Sequence, residues 1–283
     1  MEQKEIHFRK KRELGVIISD SFQFLKQEIK PISKLILVYV LPFVILYAFG
    51  QVYFQKNVLS AIDLTNQEKL MENIGPFYRN VFLFLFFGLF IQSLLAGTFY
   101  TYIEAYVKNG KQNIVLTDIS SKFFSNSLLA LGANFVFFTI GFLGVMMCVL
   151  PGIYFANTFS LLLFIFIFEK KGLGDALSKS WKLVNTQWWN TFVLNLLAII
   201  LLWVVSMVMS VPTMILGISN SMFSSNPLSP ANYPDWYWIL TGVSAIISTL
   251  LMIVPFTFQA FQYFNLEERE NPTIDFSNPN SIE

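Results

Sequence analysis

Glu104 is the acid whose position invites chemistry. It closes a charge-free run over residues 80–103, and Ser93, Gly97, Thr101 and Glu104 follow at spacings of four, four and three. On a helix those spacings put all four on one face. A strip of hydroxyls ending in a carboxylate would suit proton or cation passage through a membrane. The same small side chains also fit close helix–helix packing, with Glu104 at the boundary and paired to Lys108 one turn on. The nearby lysine makes the carboxylate shallow, which favours packing.

Gln92, Asn134, Asn157 and Asn195 are the other polar groups in deeply apolar surroundings. They would line a substrate belt or, as such amides more often do, bond between helices for about 0.6 kcal/mol each. His7 is the only histidine and Cys148 the only cysteine. One cysteine makes no intramolecular disulfide, and a lone histidine makes neither a metal site nor a triad. Gly141 and Gly144 read as close packing, and no phosphate-binding loop is present. No acid, base and nucleophile converge in the sequence. The expectation is a protein that is not an enzyme and uses no cofactor or metal.

The elements that position these groups follow from composition. Of 283 residues, 54% are hydrophobic and 13% charged, against about 25% charged in soluble domains. Charges are missing from 35–55, 80–103, 123–168, 183–234 and 236–266. About 20 apolar residues cross roughly 30 Å of hydrocarbon. These windows predict six spans, at 35–54, 80–103, 128–150, 152–169, 192–214 and 238–264. Spans without a period-2 pattern must be helices, because hydrocarbon offers no partner to a free N–H or C=O. The predicted fold is all-α: a basic segment with an amphipathic helix at 1–34, a six-helix transmembrane bundle at 35–266, and a flexible tail at 267–283. Pro151-Gly152 is the expected turn between spans three and four, and Pro42, Pro212 and Pro255 are expected to kink or end others. A short external helix is expected within 55–76, and a flexible loop over 218–235.

Net charge is +1, so no nucleic-acid partner is expected, since phosphate binding needs a concentrated basic face. Arg9, Lys10, Lys11 and Arg12 form a basic cluster, but no apolar segment precedes Leu35, so the first span reads as retained rather than as a signal peptide. The cluster would set topology or contact lipid head groups. Segments 1–34, 104–127, 170–191 and the tail together hold sixteen Lys and Arg, and the opposite side holds three. Lysine and arginine favour the cytoplasmic side, so both termini are expected there.

The stretch 172–192 supplies a second kind of element. Leu173, Leu177, Trp181, Val184 and Trp188 make one helical face, and Lys171, Asp175, Ser178, Lys179 and Lys182 lie mostly opposite. This predicts an interfacial helix with lysines toward anionic head groups. Aligned on Phe22, Phe123 and Trp181, three similar helices appear. Ile18, Ile119 and Leu177 stand four residues earlier, and Ile29, Ala130 and Trp188 seven later. The chain thus reads as three repeats of interfacial helix plus transmembrane hairpin.

With those residues in view, the segment from Leu150 to Phe192 resembles the bacterial membrane domain appended to some glycerophosphodiester phosphodiesterases. It is also similar to YciC-like inner-membrane proteins. The resemblance is carried by Pro151-Gly152, Glu169, Gly174, Ala176-Leu177, Ser180-Trp181 and Leu183, and by "LGVIISDSFQFLKQ" near the start. It implies a polytopic bacterial inner-membrane protein, without the hydrolase domain. The expected role is a non-catalytic organiser of membrane lipids or of a second membrane or cytoplasmic protein. The alternative is a transporter or channel for a small or lipid-like solute, which a continuous polar cavity to the bilayer midplane would favour.

Overall fold

The computed structural model describes residues 6–59, 67–111, 116–223 and 233–272. Every regular element among them is helical: α1 (Leu14–Tyr39), α2 (Leu41–Tyr53), a π-helical turn (Phe54–Leu59), α3 (Gln67–Asn109), α4 (Leu116–Met147), α5 (Val149–Thr158), α6 (Leu162–Glu169), α7 (Leu173–Thr186), α8 (Trp188–Phe223), α9 (Asp235–Leu251) and α10 (Ile253–Glu270). Five helical stretches are long and apolar enough to cross a bilayer. The bent pair α1–α2, which turns by 61°, would make a sixth.

The core is gathered toward one end. α10 is its axis: thirteen of its eighteen residues are buried, Gln262, Asn265 and Glu268 included. α1, α3, α6, α7 and α8 pack around it. The far halves of α3, α4, α8 and α9 turn large apolar side chains outward, among them Phe82, Phe142, Trp203, Val208 and Ile239. Such a band is costly in water and natural in lipid.

Several boundaries depart from the sequence expectations. The turn between spans three and four falls at Cys148, which is fully extended (φ −178°, ψ 154°), not at Pro151-Gly152. Pro151 is the third residue of α5, where a helix has no use for its missing N–H. The two glycines let α4 and α5 meet: a Cβ on Gly144 would stand 2.9 Å from the Gly152 Cα. The predicted span 238–264 is two helices that break at Met252. Residues 267–270 belong to α10 rather than to a flexible tail; the rest of that expectation, from 273, lies outside the described residues. Of the loop expected over 218–235, residues 218–223 continue α8 and Asp235 begins α9, while 224–232 lie outside the described residues. The external helix expected in 55–76 is the first part of α3, which runs unbroken from Gln67. Gly110, with φ 75°, ends α3 in the left-handed conformation that glycine adopts without strain.

Candidate functional site

The strip Ser93, Gly97, Thr101, Glu104 lies on the seam between α3 and α4, and all three polar members are buried. Asn134 donates to the Ser93 hydroxyl at 2.8 Å, and Asn126 to that of Thr101 at 2.8 Å. Between these two bonds Gly97 meets Ser127 so closely that an added Cβ would lie 2.5 Å from its Cα. Absence of a side chain is what lets the backbones touch. Glu104 ends the seam, 4% exposed. Its Oε1 takes Lys108 at 2.7 Å and stands 3.8 Å from Lys170. Its buried Oε2 accepts no hydrogen bond among the described residues.

Around that end the charges pair with one another. The Arg12 guanidinium is buried, donates to Asp20 at 2.8 Å and to the carbonyls of Phe8, Lys10 and His7, and lies over the Phe261 ring. Arg9 meets Glu268 at 3.9 Å. The head-group role expected of the cluster therefore fails for Arg12, whose fork is spent on the protein. Lys10 and Lys11 remain exposed. Glu28, 2% exposed, accepts from Tyr102 at 2.6 Å and pairs with Lys111 at 2.8 Å. Glu169 takes Lys171 at 2.8 Å, Lys179 at 2.5 Å and the Tyr263 hydroxyl. The hydrogen bond to Glu169 raises the Lys171 ammonium above its ordinary value.

The expected interfacial helix needs correction at both its end and its face. α7 stops at Thr186, and Trp188 begins α8 after an irregular Gln187. The buried face is Ala176, Ser180, Leu183 and Val184, so Leu177 is only half-buried and Trp181 is exposed, set against Tyr154 and Phe159. The lysines turn to α10, not away from the protein: Lys179 meets Glu267 at 2.9 Å and Lys182 meets Glu270. Ser180 donates to the Thr158 carbonyl at 2.8 Å, and Asn195 to Asn157 at 3.0 Å. The amides of Asn134, Asn157 and Asn195 thus tie helices together.

Gln92, the fourth amide, faces a partly open cavity of about 870 Å³. Its walls are two helix pairs, α2 with α9 and α3 with α4. Tyr47, Phe82, Phe86, Phe135, Phe138 and Phe142 dominate the lining, and Gln51, Thr139, Ser244, Ser248 and Thr249 add scattered polar groups. Among the described residues no charged side chain lines it. A composition-based reading misses this cavity, because each wall alone is an ordinary apolar helix. Gln92, and Ser244 with Ser248 four apart on α9, are the sequence signals that point to it. Among the described residues no three His, Cys, Asp or Glu side chains group as metal ligands do. No protein-family model, curated protein or solved structure matches the chain.

Proposed function

We propose that the chain is a polytopic, non-catalytic membrane protein that holds a lipid acyl chain between α2, α3, α4 and α9. The cavity carries this reading. It is mostly apolar, lined by no charged side chain among the described residues, and set among stretches apolar enough to span a bilayer, α2 as part of the bent α1–α2 pair, where the abundant apolar partner is a lipid tail. Ligand sites elsewhere share its build, a mostly aromatic lining with a few polar groups. Ion coupling would call for a charged group on the path, so the lining argues against an ion transporter.

In this reading the chain crosses six times, with α1–α2 as one bent span. The charged end faces the cytoplasm, by the bias of sixteen basic residues against three. Packing supports a likeness between the first and third units: Ile17, Ser21 and Phe24 are buried at the same register as Ala176, Ser180 and Leu183, whereas Lys122 and Ser125 at that register in the second are exposed. The inner membrane of a bacterium is the setting that the resemblance suggests. Orientation is testable on a Cys148→Ser background. Asn57→Cys should react with an impermeant thiol reagent in intact cells and Ser178→Cys should not; the reverse would invert the topology.

Occupancy is tested by native mass spectrometry from mild detergent. Wild type should retain lipid. Thr139→Phe with Ser248→Phe, which fills the cavity from two walls, should lose most of it while still melting cooperatively. Val208→Phe, on the outward face of α8, should retain it. Equal lipid retention by the filled and the wild-type protein would remove the cavity from the account.

A further inference from the structure

A second, smaller pocket opens at the charged end, and its chemistry differs from that of the acyl cavity. It holds about 60 Å³ and is lined by Thr101, Glu104, Ala105, Lys108, Ile119 and Lys122, beside Asn109. Glu104 lines it, with Oε1 held by Lys108 and a buried Oε2 that has no hydrogen-bond partner among the described residues. A buried carboxylate oxygen without a donor is costly, and a charge-assisted hydrogen bond would relieve it. The volume admits a small polar group or a few waters. Outside it stand two ammonium groups: Lys108, with its side chain 56% exposed, and the exposed Lys122. One compact donor inside and one anion at the mouth are therefore what the site would accept together.

We infer that this pocket recognises a primary ammonium joined to a phosphodiester, as in the ethanolamine head group of a phospholipid. The ammonium donates to Glu104 Oε2, and the phosphate lies between Lys108 and Lys122. A choline head group lacks N–H donors. A glycerol head group offers only neutral hydroxyls to the carboxylate. The lipid source has an apolar surface for its tails, since Phe124 and Leu128, which follow Lys122 on α4, are exposed. The site rests on the bilayer placement proposed above but not on the acyl cavity. Filling that cavity changes how much lipid is held, whereas this site changes which head group is preferred.

The test titrates the full-length protein in detergent with ethanolamine, choline and glycerol phospholipids of identical acyl chains, reading bound lipid by native mass spectrometry. A parallel arm uses soluble glycerophosphoethanolamine and glycerophosphocholine. Wild type should prefer the ethanolamine lipid by about tenfold, the size of one charge-assisted hydrogen bond. Glu104→Gln should reduce that preference to near parity, and Lys122→Ala should weaken all three lipids alike. The wild-type comparison stands even where Glu104→Gln folds poorly. An ethanolamine preference in the soluble arm alone would support the site and name a soluble ligand. Equal binding of ethanolamine and choline head groups in both arms would overturn it, leaving water in the pocket.

Discussion

Gly97→Leu lowers the stability of the detergent-solubilised protein by about 3–4 kcal/mol, far more than Glu104→Gln does. Even a Cβ at this position would lie 2.5 Å from the Ser127 Cα. That neighbour is backbone and cannot swing aside. Overpacking a well-filled site costs about 1–3 kcal/mol and more where nothing yields. Parting α3 from α4 also stretches the Asn134–Ser93 and Asn126–Thr101 bonds on either side, at about 0.6 kcal/mol each. Glu104→Gln keeps shape and a hydrogen-bonding oxygen, and the Lys108 that it releases is more than half exposed. An exposed partner of this kind is worth about 1 kcal/mol at most. Thermal unfolding of both variants in one detergent checks the order. If Gly97→Leu melts with wild type, the seam does not hold the bundle together.

The second large effect lies in a segment that composition marks as a polar leader. Phe8→Ala should destabilise the fold by about 3–5 kcal/mol, as emptying a buried phenylalanine site does. Phe8 is 3% exposed. Its ring stacks on Phe261 at 4.4 Å and meets Phe24, Tyr106 and Phe264 edge-on within 5.7 Å. α1, α3 and α10 all contribute to this cage, so its loss loosens three helices at once. Arg12 holds the same segment down by bonding back to the carbonyls of residues 7, 8 and 10. Arg269 adds a 2.8 Å bond to the Arg12 carbonyl. The double variant Lys10→Ala with Lys11→Ala alters exposed side chains only and should leave stability unchanged. A Phe8→Ala protein with the wild-type melting point and the wild-type resistance to proteolysis near residue 12 would show that the segment merely rests on the bundle.

Hydropathy made the helical class and the long apolar helices legible, because a bilayer-length run of side chains without charge has few other uses. The four-four-three spacing made the α3 strip legible as one face, and the structure puts α4 against it. What stayed hidden was the third dimension. Pro255 marks a kink in 238–264 and the helix does break beside it, at Met252, but nothing in that stretch marks α10 as the axis. Gln262 and Asn265 look like the fringe of a span, yet they are buried because Thr191 and the Arg12 backbone meet them. Arg12 reads as one of four surface cations, and only the fold shows that Asp20 and three carbonyls surround it. Trp188 continues the stripe of α7 by spacing alone, and the helix ends two residues before it.

The acyl cavity is the centre of the functional account, and the most direct test is to label its contents in place. A phospholipid bearing a diazirine midway along one acyl chain is incorporated in native membranes, irradiated, and the adducts are mapped by peptide mass spectrometry. The account predicts adducts on cavity-lining Phe86, Phe138, Ser248 and Met252, lost when Thr139→Phe and Ser248→Phe fill the space. Adducts confined to outward residues such as Trp203 and Val208, unchanged in the filled variant, would contradict it.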